Sequence, residues 1–484
     1  MIKNGIKLLS FALVCLLVLG AVSNVLRFKH EEGTEPMQMF YHQPTNTVDV
    51  LCLGSSHAYN AINTGLLWDS WGIASYDLCG SNQPVWNTYY YLKEALVYQR
   101  PCVIVLDVYM VLEKQAVDSS PTIINNTFGI KGAENKLAAK QASSQKSELL
   151  EYALEFPYYH SRYSDLSRED FLPYKGIKDR SMWKGFVINP TTSSLAEEID
   201  VAGVTTRVSL PEKSEEYLYR IIELCKDNAI PLVLYCSPYA LTDVEQQGFN
   251  TIADIAKEED VPFLNYNLLH NETGIDFSGP ESCLTNDTGH LNHRGCVKLT
   301  NHLGGWLKEK YDIPDRRGDE AYLSWQISAD NTRAQIEDIY ITEKQSFSEW
   351  VEAVCSYDRL TAVFAFDRGF MSSLPGGSEE KVLSCVGVDS EDIDDGAVLV
   401  LKGGDREFFS NNPDCQWYEK TDAGTLMVER GSGNSVIEYG NDYYHTRENG
   451  VTVVLYDEQT GKIVESSWWG AASCETKNLY DATK

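Results

Sequence analysis

The stretch VDVLCLGSSHAYNAINTG, Val48–Gly65, begins as an apolar run and ends in a polar turn. Apolar side chains dominate from Val48 to Leu53, stop at Gly54, and are followed at once by two serines and a histidine. In parallel α/β sheets, functional sites lie just beyond the carboxyl ends of strands, and a glycine there permits a sharp turn. The stretch is therefore either an ordinary turn after a buried strand or a turn that presents a nucleophilic serine.

Apolar runs and amphipathic helices alternate from residue 48 to about 312. Strands are predicted in VDVLCLG (48–54), at the end of GIASYDLCG (72–80), and in PCVIVLDVYM (101–110), PLVLYCSPY (231–239) and PFLNYN (262–267). Repeated β–α units predict a parallel sheet with helices on both faces. Residues 115–210, rich in aromatic and polar groups, interrupt this pattern. We interpret them as an insertion over the functional edge of the sheet, the alternative being a peripheral decoration without a role.

A second candidate site segment, LTNDTGHLNHRGCVK, lies far along the chain. Asp287 and His290 are three residues apart, just before an amphipathic helix predicted to begin near His293. The carboxylate could orient the imidazole while the second ring nitrogen acts as a general base. Alternatively, Asp287 is a capping residue and His290 an incidental loop histidine. His293 is expected to be a solvated residue of the first helical turn.

The order of these motifs resembles the SGNH/GDSL hydrolase superfamily. The resemblance covers residues 48–312 and implies a flavodoxin-like, three-layer α/β fold. It implies that Ser56 is the nucleophile, His290 the base and Asp287 its partner. Gly80 matches the glycine of the second motif, whose N–H joins that of Ser56 in the oxyanion hole.

The usual asparagine of the family's third motif is replaced, because DVYM follows the strand CVIVL. Asn82 is our candidate for the missing amide donor. Candidate substrate-binding residues are His57, which directly follows the nucleophile, and His160 and Arg162 in the segment FPYYHSRY. The alternative for the last two is an aromatic packing cluster with a surface arginine.

The N-terminal residues 1–30 contain an apolar run, Leu8–Leu26, which is long enough to cross a bilayer. We interpret it as an uncleaved, single-pass signal anchor with the following domains outside the cytoplasm. The alternative is a signal peptide cleaved near Ala21-Val22-Ser23, which would release a secreted protein.

Composition narrows the classes of partner. Lys plus Arg number 41 and Asp plus Glu 70, which gives a formal net charge of −29 over 484 residues. This charge disfavours nucleic acid, since a phosphate backbone requires a basic surface. No C-x-x-C pair occurs among the twelve cysteines, so a structural zinc site has no support. We predict neither a metal nor a cofactor.

Residues 320–484 are predicted to form a separate, β-rich α+β accessory domain. NGVTVVLYDEQTGKIVESSWW reads as a hairpin, and this hairpin with LTAVFAFDRGF weakly resembles domains of the interleukin-like epithelial–mesenchymal-transition inducer type, some of which bind carbohydrate. Trp468 and Trp469 could form a sugar-stacking platform. The alternative is a pair that is half core and half surface.

The anchor, the G-S-S-H motif and the insertion together resemble membrane-anchored bacterial proteins of teichoic-acid D-alanylation and alginate O-acetylation. The resemblance implies serine-dependent acyl transfer or ester hydrolysis on a cell-envelope polysaccharide, with a multi-span membrane O-acyltransferase as a natural partner. Two other functions remain open: a secreted esterase or lipase for small esters, and an inactive polysaccharide-binding scaffold on a hydrolase fold.

Overall fold

The structure is a computed structural model. It describes residues 2–27, 33–112, 120–144, 152, 155–171, 182–195, 200–370, 386–393, 395–421, 424–432, 434–470 and 477–479. The chain divides into two compact units, Met1–Asp330 and Asn331–Lys484. Parts of the predicted insertion at 115–210 lie outside the described residues.

The first unit contains a parallel sheet, which confirms the predicted α/β class. Its five strands run in the order β2-β1-β3-β4-β5, an order found in doubly wound sheets. The strands are β1 (Val50–Gly54), β2 (Ser75–Cys79), β3 (Val103–Asp107), β4 (Leu232–Cys236) and β5 (Phe263–Asn265). Every residue of the first four strands is buried, which explains why their sequences read as continuous apolar runs.

Helices cover both faces of this sheet. Leu51 and Leu53 of β1 join one apolar cluster, and Val50 and Cys52 join another, because successive strand residues point to opposite faces. The described helices of the unit are α1 (Ile2–Leu26), α2 (Thr34–Phe40), α3 (Ser56–Tyr59), α4 (Thr64–Trp71), α5 (Val85–Ala95), α6 (Tyr109–Leu112), α7 (Ser120–Thr127), α8 (Ala133–Ser143), α9 (Phe156–Tyr159), α10 (Glu212–Asp227), α11 (Asp243–Glu258), α12 (Tyr266–Leu269) and α13 (His293–Lys310). Helices α5, α10 and α11 pack on the first cluster, and α4 and α13 on the second.

The first helix has the length and composition of a membrane span. Its segment Leu9–Leu26 has a mean hydropathy of 2.4, and only 6% of it is buried. No other described helix is long and apolar enough to cross a membrane. A signal sequence has the same features, so the structure is consistent with an anchor or a signal.

The second unit is β-rich, as the sequence predicts, and its strands are antiparallel. One sheet has the order β15-β14-β13-β6-β7-β8 and the other the order β12-β11-β10-β9. Helix α14 (Leu323–Thr342) crosses the boundary between the units, and α15 (Phe347–Val354) and α16 (Ser390–Ile393) follow. The strands are β6 (Leu360–Phe366), β7 (Ala397–Lys402), β8 (Asp405–Ser410), β9 (Cys415–Lys420), β10 (Thr425–Gly431), β11 (Asn434–Tyr439), β12 (Asp442–His445), β13 (Gly450–Asp457), β14 (Lys462–Gly470) and β15 (Lys477–Leu479).

The tryptophan pair of the predicted hairpin is split between core and surface. Trp469 is fully buried in the core of the second unit, where its ring lies near those of Phe347 and Trp350. Trp468 is half-buried. The pair therefore does not form a two-ring exposed platform, and the alternative reading of half core and half surface describes it.

Candidate active site

The turn after β1 buries Ser55 and leaves Ser56 half-buried as the first residue of α3. Gly54 enters this turn with φ of 149°, which favours glycine. A β-carbon at Gly54 would lie 2.7 Å from Cβ of Asp107 and 3.0 Å from Cβ of Ala58. The glycine is therefore required by both the backbone conformation and the lack of space.

Ser56, His290 and Asp287 form a continuous hydrogen-bonded chain. The Ser56 Oγ lies 2.8 Å from Nε2 of His290, and Nδ1 of His290 lies 2.9 Å from Oδ2 of Asp287. The structure thus brings together the three residues that the sequence analysis assigned to a triad. The imidazole can hold the proton on Nδ1 toward Asp287 and accept the serine proton at Nε2.

Asp287 is held in its charged form although burial opposes its ionisation. The Thr285 hydroxyl and the Gly289 N–H both donate to Oδ1, and His290 faces Oδ2. These groups outweigh the effect of burial and lower the pKa of Asp287 to about 2. The carboxylate therefore stays ionised at neutral pH, where it can orient the ring of His290.

Asn292 fixes the end of the loop that carries His290. Its Nδ2 donates to the carbonyl oxygens of Ser282 and Leu284, at 2.8 and 3.1 Å. Its Oδ1 accepts from the N–H groups of Arg294 and Gly295 and so caps α13. The sequence analysis missed Asn292, although an asparagine directly before a predicted helix is a recognisable capping signal.

The last part of the predicted insertion touches the same loop. The carbonyl of Asn189 accepts from the N–H of His293 at 2.9 Å, and the N–H of Ser193 donates to the carbonyl of Leu284 at 3.1 Å. The loop after β4 also contributes, since the N–H of Ala240 donates to the carbonyl of Thr288 at 3.0 Å. Two distant segments of chain therefore help to hold the loop that carries the base.

Gly80 lies at the same edge of the sheet as the nucleophile. Gly54 pairs with Cys79 in the ladder between β1 and β2, so Gly80 follows directly beside the start of the serine turn. Within the described part of the chain, the N–H groups of Ser56 and Gly80 donate no turn, loop or side-chain hydrogen bond. The assignment of these two N–H groups to an oxyanion hole stays a prediction.

Asn82, the candidate third donor, is exposed and has φ of 46°. Among the described residues, its side chain makes no hydrogen bond to the triad. The buried amide of Asn126 lies against Gly80: its Nδ2 donates to the carbonyl of Ser81 at 3.0 Å, and a β-carbon on Gly80 would lie 2.1 Å from its Oδ1. Asn126 thus supports the loop after β2, a role that the sequence analysis did not identify.

His57 does not line the site as the sequence analysis expected, because its side chain is 4% exposed. Its ring stacks on Tyr109 at 3.6 Å between centroids, meets Tyr239 edge-on at 5.1 Å, and lies 4.7 Å from the ring of His290. Burial and then the charge of His290 hold the pKa of His57 well below its usual range. His57 is therefore a neutral packing partner of the base.

Tyr109 and Tyr239 were also missed. Both follow the carboxyl end of a central strand, β3 and β4 respectively, where side chains of a parallel sheet converge on one edge. Tyr109 stands in DVYM, the segment found where the superfamily that the sequence resembles has its third motif. An aromatic stack against His57 thus occupies the region where an asparagine was expected.

The structure does not bring His160 and Arg162 to the triad. Arg162 donates through Nη1 to the carbonyl oxygens of Leu26 and Arg27 and through Nη2 to Asp170. The exposed His160 lies near the ring of Phe156. Their described contacts are therefore with the end of α1 and with neighbouring residues of the insertion, and their assignment as substrate-binding residues stays a prediction.

His293 is fully buried, although the sequence analysis expected a solvated side chain. Its Nε2 lies 2.9 Å from Nη1 of Arg294. The first turn of α13 faces inward because the insertion residues 189–193 and the preceding loop cover it. The position of His293 at the start of a helix did not indicate that other segments of the chain would cover it.

No group of three or more His, Cys, Asp or Glu side chains that could hold a metal ion occurs among the described residues. No family model matches the chain, and no curated protein is significantly similar to it.

Proposed function

We propose that this protein is an SGNH-type serine esterase or O-acyltransferase, with Ser56 as its nucleophile. The observation that carries the proposal is the chain of contacts from Ser56 through His290 to Asp287. A serine hydroxyl is a weak nucleophile unless an adjacent base takes its proton. Nε2 of His290 lies within hydrogen-bond distance of that proton, and the ionised Asp287 orients the ring.

In the first half of the reaction, the Ser56 oxygen attacks the carbonyl carbon of an ester while its proton passes to Nε2 of His290. The N–H groups of Ser56 and Gly80 are the proposed donors to the resulting oxyanion. The bond to the leaving alcohol then breaks, and His290 returns the proton to the alcohol oxygen. The acyl group remains as an ester on Ser56.

In the second half, a hydroxyl group attacks the acyl-serine while His290 accepts its proton. Water as the attacking group gives hydrolysis, and a sugar hydroxyl gives acyl transfer. Ser56 then recovers its proton from His290. The same triad supports both outcomes, so the acceptor determines whether the protein is an esterase or a transferase.

We further propose that the substrate is an extracytoplasmic cell-envelope polysaccharide and that a multi-span membrane O-acyltransferase is a partner. The apolar, exposed helix α1 supports a membrane anchor, and the net charge of −29 disfavours nucleic acid. A secreted esterase for small esters is the alternative if α1 is cleaved. An inactive polysaccharide-binding scaffold is the alternative if Ser56 does not react.

Labelling with a fluorophosphonate, followed by peptide mass spectrometry, tests the nucleophile. We expect the adduct on Ser56, and loss of both the adduct and p-nitrophenyl acetate hydrolysis in Ser56→Ala. The matched control is Ser55→Ala, which should keep both because Ser55 is buried and makes no side-chain hydrogen bond in the described region. An adduct on Ser55 would contradict the assignment, and no adduct in a folded protein would favour the scaffold.

A further inference from the structure

Arg162 connects the end of α1 to residues 155–171, which we call the collar. Its Nη1 donates at 2.8 Å to both the Leu26 and the Arg27 carbonyl oxygens, and its Nη2 lies 3.0 Å from Oδ1 of Asp170. The last carbonyl groups of a helix have no partner within the helix. The guanidinium supplies partners for two carbonyls at this end.

Apolar and ionic contacts strengthen the same connection. Leu26 packs in a cluster with Ile124, Phe128 and Tyr159. Arg27 lies 3.8 Å from the carboxylate of Glu155, which is also paired with Lys136 and Lys140 at 3.0 and 2.8 Å. Leu26 and Arg27, at the end of the apolar helix, therefore make specific contacts with other parts of the first unit.

The collar also carries two exposed aromatic side chains. Tyr163 is 75% exposed and Phe171 is 64% exposed. Single exposed apolar side chains are ordinary on a protein surface. These two, however, lie on the segment that holds the end of a helix of bilayer length. Tyrosine is enriched at the membrane–water interface, and phenylalanine is common on the apolar face of segments that lie in it.

The chain leaving α1 soon reaches the candidate active site. Arg27 and Gly33 are six residues apart, so their backbones lie at most about 22 Å from each other. Gly33 packs against the loop after β2, since a β-carbon on Gly80 would lie 3.1 Å from Cα of Gly33. Gly80, at the candidate active site, therefore lies within roughly 30 Å of the end of the apolar helix.

We propose that the collar is a docking surface for the lipid bilayer that α1 crosses. This inference rests on the proposed function in one respect, the membrane anchor. Tyr163 and Phe171 enter the interface, Arg162 joins the helix to the collar, and the candidate active site is held at a fixed, short distance from the membrane. Ester groups carried near the bilayer surface are then within its reach.

Fluorescence quenching in vesicles tests the docking. The full chain is reconstituted into phosphatidylglycerol–phosphatidylcholine vesicles, with an environment-sensitive fluorescent amino acid in place of Tyr163, Phe171, Leu17 or Val97, one at a time. Leu17 reports on the anchor. Val97, 68% exposed, is the matched control because it lies between α5 and β3, toward the opposite edge of the sheet. Doxyl-labelled lipid is the quencher, and thermal unfolding checks that each protein is folded.

We expect loss of most of the fluorescence at 17, 163 and 171 and little loss at 97. Quenching at 17 without quenching at 163 and 171 would overturn the docking surface and leave the anchor intact. Equal quenching at 97 and 163 would also overturn it, because the collar would then have no preferred contact with lipid. A protein without quenching at 17 would overturn the anchor and, with it, the docking.

Discussion

Ser56 and His290 lie 2.8 Å apart, but different kinds of structure hold the two side chains. Ser56 is placed by its own strand and turn: β1 is buried throughout, and Gly54 turns the chain directly into α3. His290 is placed from outside, by hydrogen bonds from residues 189–193, from the loop after β4 and from Asn292. One half of the site is local in sequence, and the other depends on tertiary contacts.

The carboxyl groups in the two halves of the site have pKa values that are shifted in opposite directions. Asp107 lies behind the serine turn, where burial raises its pKa to about 7 although the N–H groups of Tyr109 and Ser237 bond to its carboxylate. Asp287 faces solvent beside the base, and its hydrogen bonds lower its pKa to about 2. A buried carboxyl group with a raised pKa thus lies behind the nucleophile, and an exposed carboxylate with a lowered pKa lies beside the base.

Removing either member of the pair should have the largest effect. We expect Ser56→Ala and His290→Ala each to lower kcat for p-nitrophenyl acetate by about 10³-fold or more, because neither group acts without the other. The double variant should be no slower than the slower single variant. Steady-state kinetics of the three proteins measures this, and additive losses would contradict a single catalytic unit.

Gly54→Ala should damage the nucleophile side through the backbone. The positive φ alone costs about 1–3 kcal/mol, and the added methyl group collides with Asp107 and Ala58. Gly318→Ala is the matched control, since Gly318 has φ of 84° but open space around a β-carbon. The free energy of unfolding, measured with denaturant, and kcat should both fall further in Gly54→Ala than in Gly318→Ala. Equal losses in the two variants would show that the collision is unimportant.

Asn292→Ala should damage the base side without touching the serine turn. It removes the cap of α13 and leaves two buried carbonyls without their side-chain donor, so we expect a loss of about 1–3 kcal/mol in the free energy of unfolding. The loosened His290 loop should also lower kcat. Asn63→Ala is the control, because Asn63 caps α4 and its loss should reduce stability with little change in kcat.

Asp107→Asn should change the pH dependence of stability. Because the folded pKa of about 7 exceeds the usual value near 4, the carboxyl takes up a proton on folding. Its contribution is present below pH 4 and is lost as the pH rises through 7. We measure the melting temperature of Asp107→Asn minus that of the native protein. This difference should therefore be larger at pH 8.5 than at pH 5.5.

The exposed Asp200→Asn is the control for this experiment. Its melting temperature should follow that of the native protein at both pH values. A constant difference between Asp107→Asn and the native protein would contradict the raised pKa of Asp107.

Most of the regular elements could be predicted from the sequence because their patterns are local. The apolar runs 48–54 and 101–110 predicted β1 and β3, although β3 (Val103–Asp107) is shorter than the second run because the chain turns into α6 after Val108. The spacing of Asp287 and His290 before a helix, together with the serine turn, predicted a triad. These motifs could be recognised in the sequence because sheet edges and short loops restrict where such side chains can point.

Only the tertiary structure decided which of several residues with similar chemistry take part in the candidate site. Ser56 and His290 are 234 positions apart, and their meeting depends on the folding of the whole sheet. His57 and His293 are buried, and Arg162 binds the end of α1, because segments distant in sequence cover them or offer them partners. By itself the sequence determined which residues carry suitable chemistry, since residue type and local pattern suffice for that. Burial and hydrogen-bond partners, which arise from long-range packing, decided which of those residues meet.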